Sequence, residues 1–286
     1  MSIDKIYRSL PLVRELFQIR DSIRHRLLML QMAEFMKTWE LDLQQHPRYS
    51  QPLRLPRHSF QVNSQSGEDG IIREIFRRIG VGNRVFVELG VGDGLENNTA
   101  FLLSQGWRGY WIDGAGEFLQ TLSSKGIGPE RVQGRAASIS RENVAALLKQ
   151  MGVPDEFDLL SVDIDQNTYY VWQALRGYRP RVAAIEYNAI LPPDLDWKVS
   201  YDANRLWDGT INFGASLKAV ELLGRELGYS LVGCDLAGTN AFFVRNDLVG
   251  DHFAAPFTAE NHYEPVRYAL LQTRGHARNI LDQGGS

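Results

Sequence analysis

Cysteine is nearly missing from these 286 residues, with Cys234 the only one. A lone thiol rules out an internal disulfide framework and a cysteine-built zinc site, and it makes a reducing cytoplasm the expected compartment. Cys234 itself reads as a small buried hydrophobe. Long apolar runs are missing too. No stretch approaches the roughly 18 consecutive apolar residues of a membrane span, and the first residues lack the apolar core and cleavage site of a secretory signal. Nor is there an excess of positive charge: 31 Lys and Arg face 34 Asp and Glu, for a formal charge of -3. A nucleic-acid partner is therefore not expected, and a small polar acceptor fits better. Internal repeats and low-complexity segments are absent as well. What is present, 44% hydrophobic and 23% charged residues, is the composition of a globular chain able to bury a sizeable core.

From Ile3 to about Leu43, apolar residues recur at broadly helical spacing: Leu10, Leu12, Val13, Leu16, Phe17, Ile23, Leu27, Leu28, Leu30 and Met32. The pattern predicts two helices broken near Pro11, forming an arm that packs on the main domain or on a second copy of the chain. Arg20, Arg24 and Arg26 flank the apolar face, so peripheral contact with a membrane surface is the alternative role. His46 to His58 carries Pro47, Pro52 and Pro56 among polar residues and reads as a linker. The expected organisation is an arm and linker over 1–58 and a catalytic domain over 59–286.

Beyond Gln65, short apolar runs alternate with helical patterns, the signature of a doubly wound α/β sheet. Val85–Leu89, Gly109–Asp113, Val132–Ala136, Phe157–Val162 and Val182–Glu186 are the expected parallel strands. Ser140 is expected to open one helix, and Ser216 to Leu227 is another. Tyr229–Asp235 and Asn240–Arg245, separated by Leu236 to Thr239, read as an antiparallel hairpin closing the sheet. The fold class is thus a Rossmann-like, mostly parallel α/β sheet with an antiparallel C-terminal hairpin, plus an N-terminal helical arm.

The segment Phe86 to Asn98, FVELGVGDGLENN, is the most informative. An apolar strand runs into Gly90, Gly92 and Gly94, and glycine there lets backbone approach a ligand at the carboxyl end of a strand. A dinucleotide site asks for its third glycine later, in G-x-G-x-x-G spacing, where this chain has Leu95. Glu88, Asp93 and Glu96 would repel a diphosphate but suit the sulfonium and ammonium of S-adenosylmethionine. Asp113, ending the second strand, is placed to accept hydrogen bonds from ribose hydroxyls. Upstream, SQSGEDG (Ser64 to Gly70) opens a helix, with Gln65 and Glu68 either facing the amino-acid end of the donor or simply capping that helix. Asn98, Ala137 and Asp163 complete the expected cofactor-binding set.

SQSGEDGII, FVELGVGDGLENNTAFLL, GWRGYWIDG and the later SVDID and IEYN together resemble the ordered blocks of FkbM-type class I methyltransferases, over about Ser64 to Arg245. The resemblance implies S-adenosylmethionine as cofactor and O-methylation of a saccharide or glycosylated small molecule, with Gly90, Gly92 and Asp113 at donor-binding positions. The loop departs from the commoner E-x-G-x-G-x-G form in carrying Asp93 and the run Leu-Glu-Asn-Asn.

Asp163, Asp165, Glu186 and Asn188 fall at neighbouring strand ends, where converging carboxylates need a cation or a polar substrate to compensate them; Mg²⁺ or Ca²⁺ prefers such oxygen ligands. The pattern is similar to that of catechol and macrolide-sugar O-methyltransferases, and matching by position gives Asp163, Glu186 and Asn188 as metal ligands, with Asp165 an alternative to Asp163. With a metal, the ion would lower the pKa of the acceptor hydroxyl. Without one, Asp165 or a histidine takes the proton as general base. His252 and His262, in a polar and aromatic tail, are the histidine candidates. Pro192 to Phe213, with Trp197, Tyr201, Trp207, Asp208 and Asn212, reads as an acceptor lid. Two other function classes remain open: a non-catalytic interaction domain of the same fold, and an NAD-type oxidoreductase.

Overall fold

The computed structural model describes residues 11–38, 43 and 45–267, and the chain divides into two compact units between Ser50 and Gln51. In the first unit, helix α1 runs unbroken from Pro11 to Lys37. A proline at the first helical position lacks only an N–H that a helix start leaves unbonded anyway, and the described helix starts at Pro11, the residue near which the break between two helices was expected. The first of the two expected helices lies outside the described residues. Leu16, Ile19, Ile23, Leu27 and Leu30 are each more than half exposed along α1. No helix among the described residues is long and apolar enough to cross a membrane. A short helix, α2 (Pro47–Ser50), ends this unit.

The second unit takes in residues 51–58, which were expected to be linker. Leu55 is fully buried in its core, and the Arg54 guanidinium donates to the Asn261 carbonyl at 2.6 Å. Helix α3 (Glu68–Ile79) leads into β1 (Val85–Leu89), and then α4 (Ala100–Ser104), β2 (Arg108–Asp113), α5 (Phe118–Ser124), β3 (Val132–Ala136), α6 (Val144–Gln150), β4 (Leu159–Val162), α7 (Thr168–Ala174) and β5 (Val182–Glu186) alternate. After α8 (Leu217–Leu227) come β6 (Tyr229–Cys234), β7 (Asn240–Arg245) and two short helices, α9 (Asn246–Val249) and α10 (Ala259–His262). The sheet order is β3-β2-β1-β4-β5-β7-β6. The five strands β1 to β5 pair in parallel, and β7 pairs antiparallel with both β5 and β6. The expected fold class is the one observed.

Every residue of β1 and β4 is buried, as expected of strands covered on both faces. Side-chain alternation divides them between two cores: Val87, Leu160, Val162 and Ile185 join Trp172 and Phe243 on one face, while Phe86, Leu159 and Ala184 join Ile71, Ile75 and Trp111 on the other. Each such large apolar side chain contributes about 1.5–3 kcal/mol relative to exposure. Ser216 caps α8, its Oγ accepting from Ala219 N, and Gly228 closes it at φ 89°. Ser140 does not cap α6 as expected. Instead its backbone N–H donates to Asn143 Oδ1, and the helix starts at Val144.

Two topological facts position the site. The chain leaves β1 toward β2 on one side, whereas β4 and β5 lie on the other, so a crevice opens at the carboxyl ends of β1 and β4. Because β7 runs against β5, its first residue sits beside the last of β5, with Asn240 opposite Glu186. The β6–β7 turn therefore joins the same rim.

Candidate active site

A cavity of about 760 Å³ opens on that rim. Eight acidic residues line it: Glu68, Glu88, Asp93, Glu96, Asp113, Asp163, Asp165 and Glu186. Among the described residues, no Lys, Arg or His lines it. Gln65, Gly90, Gly92, Asn98, Trp207 and Phe213 complete the expected part of the wall, and Asn97, Tyr187, Gly238, Thr239 and Asn240 add to it.

The glycine loop after β1 is built around close packing and one open position. A Cβ on Gly90 (φ 85°) would stand 1.6 Å from the Asp163 carbonyl oxygen, so glycine there lets the ends of β1 and β4 meet. The expected reason, room for a ligand, applies to Gly92 instead: at φ 60°, a Cβ there would meet nothing within 4 Å. Both residues sit in backbone that other side chains rarely adopt.

Glu88 was expected to face the donor's cationic groups. It does line the cavity, and its carboxylate also clamps its own loop, accepting from Asn97 Nδ2 at 2.5 Å, Asn98 N at 2.8 Å, Thr99 N at 3.1 Å and Thr99 Oγ1 at 2.5 Å. Trp111 Nε1 in turn donates to Thr99 Oγ1 at 2.7 Å, tying β2 to the clamp. Burial pushes the Glu88 carboxyl up, and the bonds from Thr99, Asn97 and Asn98 pull it back. Asn98 also donates to Ser161 Oγ at 3.0 Å.

Asp113 has a similar part at the end of β2. One oxygen accepts from Val91 N and Gly92 N, both at 3.0 Å, and the other from Ala115 N at 2.8 Å and Gly116 N at 3.4 Å. The side chain borders the cavity, so it shapes the glycine loop and faces the ligand space together. A ribose hydroxyl would share these oxygens with backbone amides rather than meet a free carboxylate. Asp93 Oδ1 accepts from Leu95 N at 2.9 Å. Ala137 does not reach the cavity, because its N–H is bonded to the Asp113 carbonyl in continuation of β3.

Helix α3 has Gly67 at its N-cap and takes no side-chain cap, so Gln65 and Glu68 do not cap it as one reading of SQSGEDG expected. Glu68 is buried, its Oε2 accepting from Ser66 N at 2.7 Å at the helix start, and it also lines the cavity. Its Oε1 accepts from Ser66 Oγ at 2.7 Å and Asn240 Nδ2 at 3.2 Å. Gln65 lines the rim, its carbonyl held by Gln61 Nε2. Ser66 Oγ also lies 2.9 Å from Asp235 Oδ2. Burial, and then Glu68, lift the Asp235 carboxyl to about 7.

At the other half, beyond β4 and β5, the acids face one another. Burial lifts Asp163 to about 7, with Asp165 and Glu88 adding to the rise, while a hydrogen bond with Glu186 opposes it. Glu186 is raised well above the usual range by burial and by Asp163, although Thr168 Oγ1 donates to it at 3.0 Å. Asp165 stands toward solvent with φ 58°, unusual for a residue with a side chain, and desolvation raises its carboxyl.

Asn188 does not join these acids. It is fully buried away from the cavity, its Nδ2 donating to the carbonyls of Ile211 at 2.9 Å and Phe213 at 3.0 Å, and its Oδ1 accepting from Ile190 N at 3.2 Å. It tethers the lid. No cluster of three or more His, Cys, Asp or Glu arranged to hold a metal occurs among the described residues. With the expected third ligand committed to the lid, and Asp163 and Glu186 bonded to each other, the residues do not fit a resident Mg²⁺ or other divalent ion.

Of the expected lid, Trp207 and Phe213 line the cavity with ring centroids 6.1 Å apart. Trp197, Tyr201, Asp208 and Asn212 do not: Tyr201 bonds Glu142, and Asp208 accepts from Thr210 N at 3.0 Å. Neither tail histidine reaches the site. His252 lies at the surface beside Asp251, and His262 is buried at the end of α10. They are not placed for proton transfer there.

Asn97, Gly238, Thr239 and Asn240 were not singled out from sequence. A signal existed for the last three, since an antiparallel strand beside β5 must bring its preceding turn to the carboxyl end of the parallel strands.

No protein-family model and no curated protein matches the chain. Solved structures similar to it include the N-terminal domain of EvdMO1 with SAH bound, at 13% identity over 68% of this chain and 90% of that one, TM-score 0.40. The O-methyltransferase TomG from Streptomyces achromogenes, in complex with SAM, matches at 16% identity over 74% of this chain and 95% of that one, TM-score 0.38. An O-methyltransferase family protein from Burkholderia thailandensis matches at 13% identity over 82% of this chain and 71% of that one, TM-score 0.38. Likenesses this distant carry no argument about activity, which has to be read from the cavity.

Proposed function

We propose that the protein is an S-adenosylmethionine-dependent O-methyltransferase acting on a hydroxyl of a saccharide or glycosylated small molecule. One observation carries the reading: a cavity at the carboxyl ends of parallel strands, lined by eight acids and, among the described residues, by no basic side chain. A dinucleotide would bring its diphosphate into that field and be repelled, whereas a sulfonium nucleoside is attracted. This disfavours the NAD-type oxidoreductase. A non-catalytic domain would give no reason to hold Asp165 in strained backbone at the cavity mouth.

The residues divide the work. Gly92 gives backbone access, and Asp113, beside Val91 and Gly92, borders the nucleoside space. Gln65 and Glu68 border the space for the amino-acid end. S-adenosylmethionine, when bound, supplies an activated methyl group on a positively charged sulfur. Trp207 and Phe213 offer aromatic faces on which a sugar ring stacks and which exclude water. Asp165 is the proposed general base: as the acceptor oxygen forms its bond to the methyl carbon and the carbon–sulfur bond breaks, the hydroxyl proton passes to the Asp165 carboxylate. A carboxyl raised by desolvation is a better base than an ordinary one. The pocket contributes most by holding the two reactants in line.

Calorimetry with S-adenosylmethionine and NADH tests the reading. The methyl donor should bind with one-to-one stoichiometry and NADH should give no heat, while an Asp113→Ala variant should bind the donor at least about tenfold more weakly. Tight NADH binding, or full donor affinity in the variant, would contradict it.

A further inference from the structure

The segment between β5 and α8 carries apolar surface that lies outside the cavity. Leu206 is 85% exposed, Ile211 64% and Trp207 51%, and Ile190 is exposed as well. Single apolar side chains at a surface are ordinary, but several together mark a place where something docks. Hydrogen bonds bring these four together. Trp207 Nε1 donates to the Thr210 carbonyl at 2.8 Å across a turn in which Asp208 accepts from Thr210 N, so Leu206 and Ile211 flank one turn. The Asn188 side chain accepts from Ile190 N at 3.2 Å and donates to the Ile211 carbonyl at 2.9 Å, so those two backbones share one anchor. With its N–H spent on Thr210, Trp207 offers solvent only hydrocarbon.

Two further observations tie this patch to the cavity. It is continuous with it, because Trp207 is half exposed and also lines the cavity, its ring centroid 6.1 Å from that of Phe213. The segment is also held in place by three buried amides. Gln166 Nε2 donates to the Asn212 carbonyl at 3.2 Å, Asn167 Nδ2 to the Asp202 carbonyl at 3.0 Å, and Asn188 Nδ2 to the carbonyls of Ile211 and Phe213. Gln166 and Asn167 directly follow Asp165, so the patch is fastened to the loop that carries the proposed general base.

Resting on the methyltransferase reading, we infer that the acceptor is an amphiphilic glycoside of the glycolipid class. Its sugar enters the cavity, and its aliphatic chain runs out over Trp207, Ile211 and Leu206. The acid-lined cavity suits hydroxyls and repays a hydrocarbon chain poorly, whereas the rim offers large apolar side chains already fixed in position. Leu206 and Ile211 lie on opposite arms of the turn, so a flexible chain covers both where a single flat ring covers one.

The test uses the full-length protein saturated with S-adenosylhomocysteine, titrated by calorimetry with methyl, phenyl and hexyl β-D-glucoside, each below its micelle-forming concentration. The hexyl compound should bind at least about tenfold more tightly than the methyl one, the gain expected from burying about two methylene groups. A double variant, Leu206→Ser with Ile211→Ser, should lose that gain and keep its affinity for S-adenosylhomocysteine. Both positions are exposed, so the fold should tolerate the change. Equal affinity for the hexyl and methyl compounds, no binding of the hexyl compound, or a gain that survives in the double variant would each overturn the inference. Tighter binding of the phenyl than of the hexyl compound would overturn the aliphatic assignment. A dimer that the double variant converts to monomer in sedimentation would give the patch to a second copy of the chain and overturn it too. If S-adenosylhomocysteine itself gives no heat, the methyltransferase reading fails and this inference falls with it; if it binds and the glucosides are not distinguished, this inference alone fails.

Discussion

The two halves of the cavity use the same residue types to opposite ends. Beside β1 and β2, Glu88 and Asp113 are held by backbone and side-chain donors of the loops they border, so each acid works as a clamp. Beside β4 and β5, Asp163 and Glu186 have few donors and one another for company, and burial drives both toward the protonated form. An acid at a strand end is therefore no guide by itself to a ligand contact. What separates structure from binding is whether the protein already supplies the donors. The clamped half holds a shape, whereas the acids of the other half are left short of donors by the protein itself.

That contrast can be broken most severely at Gly90. Replacing it with alanine drives a Cβ into the Asp163 carbonyl at positive φ, forcing the two halves apart. The expected loss is about 4 kcal/mol of unfolding free energy, from overpacking and backbone strain together, read by urea denaturation. A loss below about 1 kcal/mol would mean that the halves are not locked there. Next comes Glu88→Ala, which strands the buried Asn98 and Thr99 donors and should lose about 3 kcal/mol by the same measurement. Glu88→Gln, which keeps an acceptor oxygen, should lose less.

The uncompensated half should respond with the opposite sign. Asp163 titrates near 7 in the fold, above its ordinary 3.8, so the folded state holds the proton more tightly than the unfolded chain between those values. Stability from this group is complete below about pH 4, falls as pH rises, and levels off above about 7. Asp163→Asn removes the penalty. It should be about 1–2 kcal/mol more stable than the parent at pH 8 and equal to it at pH 4, by thermal or urea denaturation at both pH values. A variant destabilised at pH 8 would show that this acid is a clamp like Glu88. The smallest stability effect belongs to Asp165. Asp165→Gly relieves the φ of 58° and should gain about 0.5–1 kcal/mol while methyl transfer falls at least about 100-fold. Unchanged turnover would remove Asp165 from the reaction.

Sequence alone carried the sheet far. Runs such as VFVEL and VAAIE, covered on both faces, admit little but a buried strand, and both strands have the predicted bounds. Gly92, Asp113, Asp163 and Glu186 were legible as cavity residues because strand ends in this topology must share a rim. The roles were less legible. Whether Glu88 meets a ligand or its own loop depends on the path of Asn97 to Thr99, which no spacing rule encodes. Asn188 matched a ligand pattern by position, yet the lid backbone takes both of its amide hydrogens, a tertiary contact more than twenty residues away. His252 and His262 were chosen by residue type, and their helices and turns face other surroundings. Asn240 was missed because its unbonded oxygen is visible only once Glu68 and β5 are packed beside it.

A crystal of the full-length protein grown with S-adenosylhomocysteine tests the central claim most directly. The account predicts density over Gly92, with the ribose beside Asp113 and the amino-acid end toward Gln65 and Glu68. Ligand bound anywhere else, or a cavity left empty at saturating concentration, would contradict it.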